Sequence, residues 1–129
     1  MNCISRQWVR LSKEAVAQSV EHWKRMMEWA EMQDLEEQIS SVHMKMMLGE
    51  NWYAEDCPLC QQFLREGGGK CGGCPLFMVF GSCEDKEAMN AWIEVVHAKD
   101  WEEWLEGAEV MLEQLKTVLM FLEEEKCLK

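Results

Sequence analysis

Apolar positions along the first third of the chain recur at helical spacing. Val16, Val20, Trp23, Met27 and Ala30 follow one another at steps of four, three, four and three, which is one stripe of an amphipathic helix. Ser12, ahead of Lys13-Glu14-Ala15, has the chemistry of an N-cap. A second stripe, Leu35, Ile39, Val42 and Met46, continues the spacing, and Gly49 supplies a stop. Residues 12–48 therefore read as one long helix or a pair, and a break near Gln33-Asp34 is preferred because so long a single helix is rare in a small domain. After residue 83 the helical spacing returns. Residues 84–97 set Ala88 or Met89, Trp92, Ile93 and Val96 on one side for about three turns. Asp100 and Glu103 have the form of a capping box, and Trp104, Ala108, Met111, Leu115, Val118 and Leu122 then make a seam for helix packing that runs to about Glu125. Gly107 within it is read as a modest propensity cost. No β pattern of useful length occurs, although 75–80 could form a short strand or tether.

The pattern predicts an all-α fold, a small helical bundle of three to four helices in one domain, residues 1–129. Its parts are an N-terminal helix or helix pair (12–48), a Cys-rich metal-binding loop inserted at 55–83, and C-terminal helices (84–125). A chain of 129 residues buries roughly two-thirds of its unfolded surface and can build a core without disulfides. Most of the seven tryptophans and eleven methionines fall on the stripes, so packing is their expected role.

The loop carries the distinctive chemistry. Five of the seven cysteines lie between 57 and 83, as Cys57-Pro-Leu-Cys60, Cys71-Gly-Gly-Cys74-Pro75 and Cys83. Two C-x-x-C pairs can bring four thiolates onto one tetrahedral ion, because two intervening residues let both sulfurs of a pair face one point. Gly67-Gly68-Gly69 supplies a reversal that folds the second pair back on the first. Zinc held by Cys57, Cys60, Cys71 and Cys74 is the leading expectation, with Cys83 as an alternative ligand or fifth candidate. An iron–sulfur cluster is the competitor, since four thiolates from a compact loop also suit a cubane, and disulfide or thiol redox use is the third reading. Cys3 and Cys127 stand apart and read as free thiols.

Charge narrows the partners. The formal net charge is −11, and a surface that grips phosphates is normally basic, so direct nucleic-acid reading is disfavoured. The imbalance is also internal: residues 1–25 carry five basic and two acidic side chains, residues 99–125 nine acidic and two basic. Glu102, Glu106, Glu109 and Glu113 line up opposite the Trp104 to Leu122 seam, either as a solvated face or as mimicry of a phosphate backbone. Val118 to Leu122 is apolar at five consecutive positions, more than one packing face can cover, which predicts a homodimer. No signal-like start and no apolar run of membrane-spanning length is present, and cysteine usage suits a reducing compartment, so a cytoplasmic location is expected.

The order Ser19-Val20-Glu21-His22-Trp23-Lys24, then the C-x-L-C and C-x-x-C-P pairs, Gly81-Ser82-Cys83 and an aromatic at Trp92, resembles small uncharacterised proteins of bacteriophages and prophages. The resemblance spans roughly residues 15–115 and implies a phage-linked origin and a cysteine-bound metal, with no activity attached. Where that group has a Thr-Pro turn after Cys83, Glu84-Asp85-Lys86 stands here. His22, His43 and His97 lie on separate segments and are expected to be surface or satisfied core residues, not ligands. No nucleophile, base and orienting group are arranged for catalysis, and Gly67-Gly68-Gly69-Lys70 lacks the spacing of a phosphate loop. The functional expectation is a non-enzymatic, metal-stabilised helical module that binds a host or phage protein. Its alternatives are an iron–sulfur or thiol redox protein and an acidic nucleic-acid mimic that inhibits a host or defence protein.

Overall fold

The computed structural model describes residues 6–53, 56–59 and 91–123, and in these the chain is all-α, with four helices and no strand. Helix α1 spans Arg6–Glu31 and α2 Ser41–Leu48. Helix α3 spans Trp92–Val96 and α4 Trp101–Glu123. The two long helices, α1 and α4, lie along each other, α3 packs on α4, and α2 makes a lighter contact with α1.

Helix α1 starts six residues before the expected cap. Ser12 is not at its head but fully buried inside it, because Val9, one heptad before Val16, already belongs to the buried stripe and carries the helix outward. Val16, Val20, Trp23 and Ala30 are buried as expected, while Met26 is fully enclosed and Met27 only half-buried. The helix ends where the break was expected. Met32 and Gln33 donate back three residues to the carbonyls of Trp29 and Ala30 (3.1 and 3.0 Å), and the Gln33 side chain also caps the Trp29 carbonyl at 3.1 Å. Asp34 then accepts from the Glu36 amide at 3.0 Å and holds the turn.

The second expected stripe is not a buried face. In α2 the fully buried side chain is Met44, whereas Val42 is 67% and Met46 78% exposed. Leu35 lies exposed in the connection and Ile39 is half-buried beside the core. The bend over 32–40 breaks the phase, so counting from Leu35 selects the wrong side of α2. Its ends are well capped: Ser40 Oγ accepts from the His43 amide at 3.1 Å, and Gly49, at φ +90°, donates to the Lys45 carbonyl at 2.9 Å.

A similar phase error affects α3, where Ala91 and Val95 point inward, and Trp92, Ile93 and Val96 are only half-buried. Residues 84–90 lie outside the described residues, as does the possible strand at 75–80. In α4 the seam is realised in full, with Trp104, Ala108, Met111, Leu115, Val118 and Leu122 all buried and Trp101 and Gly107 added. Asp100 Oδ1 accepts from the Glu103 amide at 2.9 Å, but the Glu103 carboxylate returns to the Lys99 amide, one residue earlier than a capping box requires. Two more first-turn amides of α4 are satisfied from outside: Trp101 donates to the Glu37 carbonyl and Glu102 to the Leu35 carbonyl, both at 3.1 Å, next to an antiparallel bridge of Gln38 with Asp100.

An indole cluster joins these parts. Trp23 stacks on Trp104 (centroids 5.9 Å), Trp29 meets Trp101 edge-on (5.4 Å), and Trp52 packs against both Trp101 and Trp104 (6.0 and 5.4 Å). The chain before the cysteine segment is thereby fixed to the α1–α4 core.

Candidate metal centre

Of the five clustered cysteines, Cys57 is among the described residues, while Cys60, Cys71, Cys74 and Cys83 lie outside them. The approach to Cys57 is firmly held. Asp56 accepts from the Asn51 amide at 3.0 Å and from Lys45 Nζ at 2.5 Å, and its own amide donates to the Tyr53 carbonyl at 3.0 Å. Asn51 also donates to the Ser41 carbonyl at 3.3 Å, tying the same corner to α2. Cys57 is half-buried against the core and Leu59 is buried within it. On the far side of the segment, Trp92 Nε1 donates to the Trp52 carbonyl at 3.0 Å, and the Tyr53 ring meets that of Trp92 edge-on at 6.1 Å. Trp52 and Tyr53, before the cysteine segment, and Trp92, after it, thus meet at one corner of the bundle.

Beside this corner lies a polar network that the sequence did not announce. His22 is 1% exposed. Its Nδ1 makes a short hydrogen bond with Glu50 Oε1, and Arg25 grips the same carboxylate through Nε to Oε2 at 2.8 Å and Nη2 to Oε1 at 3.0 Å. The Arg25 hydrogen bond, followed by that of His22, holds the Glu50 carboxyl below its ordinary range. The Arg25 guanidinium is correspondingly raised by Glu50. Burial dominates at His22 and lowers its pKa, against the opposing pull of Glu50. An ionised Glu50 can only accept, so Nδ1 carries the proton and the neutral ring leaves a lone pair on Nε2. That atom is buried with no hydrogen-bond partner among the described residues, and the hydroxyls of Ser19, one turn earlier, and Ser12 share this condition.

A surface cleft adjoins the network, lined by Ala17, Gln18, Glu21 and Arg25 of α1 and by Asp56 and Pro58, the two neighbours of Cys57. Arg25 and Glu50 stand 25 residues apart, and His22 and Glu50 28, with no shared periodicity, so only the composition Ser-x-x-His on a buried stripe could have hinted at the site. His43 and His97 are exposed, as expected, with His43 set edge-on to Trp29. His22 is neither a surface histidine nor a satisfied one. Among the described residues alone, no group of three or more His, Cys, Asp or Glu side chains converges to hold a metal ion. Comparison with family models, with curated proteins and with solved structures found no match.

Proposed function

We propose that the chain is a non-enzymatic helical interaction module whose cysteine segment is clasped by zinc, and that it serves a phage-linked protein interaction in the host cytoplasm. The supporting observation is the corner where Asp56 anchors the approach to Cys57 and Trp92 closes on Trp52, because flanks that are already held together lower the entropic cost of closing a metal crosslink between them. The proposed ligands are Cys57, Cys60, Cys71 and Cys74, with Cys83 as alternative or fifth candidate. Thiolate–zinc bonds would supply the ordering energy that a glycine-rich segment cannot draw from packing.

Metal analysis of protein purified without air tests this reading. One zinc per chain in a colourless protein is the expected result, and removing it should open the cysteine segment to proteolysis while the helical signal persists. Visible absorption bleached by oxidation would favour the iron–sulfur alternative. Neither metal, with Cys57, Cys60, Cys71 and Cys74 oxidised to disulfides, would overturn the proposal.

A second reading rests on the exposure of Glu102, Glu106, Glu109 and Glu113 along α4, an acidic line that could compete with a nucleic acid for a basic host protein. It requires binding that weakens with salt and is lost when the four charges are reversed. Among the described residues no helix is long and apolar enough to cross a membrane.

A further inference from the structure

We propose that residues 39–51 form an acid-released strap on α1: a proton taken up by His22 loosens the grip on Glu50 and lifts the strap, α2 included, while α1 and α4 stay packed together. The inference does not depend on the cysteine–metal reading above.

The strap is pinned to α4 at both ends. Ahead of it, Gln38 bridges Asp100, and the Glu37 carbonyl accepts from the Trp101 amide at 3.1 Å. Behind it, Trp52 packs against Trp101 and Trp104. Between these pins it lies on one flank of α1. At 100° per residue, His22 stands about 20° around the helix from Trp29 and about 40° from Met26, but about 100° from Trp23, which stacks on Trp104 of α4. The strap covers that flank: His43 sits edge-on to Trp29 (5.3 Å), and Glu50 reaches His22 and Arg25. Its apolar hold is small, with Met44 buried but Val42, Met46 and Met47 exposed. Asn51 donates to the Ser41 carbonyl at 3.3 Å, so the strap moves as a unit.

His22 is where acid acts on this latch. Its ring is 1% exposed, Nδ1 faces Glu50, and the enclosed Nε2 has no partner among the described residues. A proton at Nε2 adds a buried charge and an N–H donor with no acceptor among those residues. The charged groups facing the ring are Glu50 and Asp56 from the strap side and Arg25 from α1 itself; among the described residues α4 adds none. Burial outweighs the attraction of Glu50, which Arg25 already neutralises, so the His22 pKa lies below 6.5 while the strap is closed. With the strap lifted, the ring meets water and returns to about 6.5. The closed strap therefore has its full stability above about pH 6.5 and loses it as the pH falls through the closed-state value. Glu50, held below 4.5 first by Arg25, stays ionised over the upper part of this range.

Hydrogen exchange of the full chain, compared as protection factors at about pH 7.5 and 5.5, tests the strap. Protection in residues 41–51 should fall by up to about tenfold, because each opening takes up one proton, while the α4 amides keep theirs. His22→Gln keeps a donor for Glu50 but cannot titrate, and should abolish this pH dependence. Acid effects on the cysteine thiolates are common to both proteins and cancel in the comparison. In an NMR titration of the wild type, the His22 ring should have its midpoint below 6.5. A midpoint at or above 6.5, or unchanged protection in 41–51, overturns the proposal. Equal loss along α1 and α4 also overturns it, since the acid effect is then global unfolding. If His22→Gln does not fold, the wild-type titration and exchange decide; if it folds and keeps the wild-type pH dependence, another group is the sensor and the inference falls.

Discussion

Gly107 shows how a single residue changes meaning once its neighbours are known. In an exposed helix interior, replacing glycine by alanine gains up to about 1 kcal/mol of helix propensity. Here a Cβ on residue 107 would stand 3.1 Å from Val95 Cγ2 and 3.2 Å from the Val95 backbone nitrogen, where α3 crosses α4. The side-chain methyl can yield, but the backbone of α3 cannot without moving Val95 out of the core, and overpacking of this kind costs about 1–3 kcal/mol. The second effect wins. Gly107→Ala should lower stability by about 1 kcal/mol net, seen as a lower denaturant midpoint with an unchanged slope; an unchanged or higher midpoint would mean that α3 shifts freely. His22 was equally opaque to sequence reasoning, since its significance depends on Glu50 and Arg25, whose approach is a product of the tertiary fold.

Among the elements, legibility followed the length of uninterrupted phase. The seam of α4 could be counted correctly over 23 residues because nothing resets the helical angle, and all six of its expected positions are buried. Helix α2 has eight residues and follows a bend, so its inward side chain, Met44, had to be found from the structure. With one fully buried residue, α2 draws little from the core, and its persistence rests on its two caps, the Asn51 hydrogen bond to Ser41 and the Lys45–Asp56 contact. Ser40→Ala should therefore cost about 1 kcal/mol. Hydrogen exchange should show that cost as faster exchange in the α2 amides, with α4 protected as before. Equal acceleration in α1 and α4 would show instead that α2 opens only with the whole bundle. Since Asp56 leads directly to Cys57, the same variant should loosen the entrance to the cysteine segment.

At the scale of the whole molecule, the sequence predicted the all-α class and the packing of its last helix, but it gave no account of how the cysteine segment joins the bundle. That junction depends on Trp52 and Trp92, 40 residues apart, and on an indole cluster whose members sit on three separate stretches of chain. The run from Val118 to Leu122 was expected to exceed what one packing face can cover, and Met120 and Phe121 are indeed 61% and 57% exposed while Val118 and Leu122 are buried. Val110, also exposed, lies on the same outward side of α4 as Phe121, eleven residues or about three turns earlier. Val110 is separated from Phe121 by Gln114 and Thr117, so the exposed apolar surface is concentrated at Met120 and Phe121 near the end of the described helix, a small patch that a second copy of the chain could cover across a two-fold axis. Light scattering should therefore give about twice the 15.1 kDa chain mass, and Met120→Glu combined with Phe121→Glu should return it to the monomer value, with helicity unchanged because neither side chain supports the core. A wild-type protein that stays at the monomer mass up to high micromolar concentration would refute the dimer.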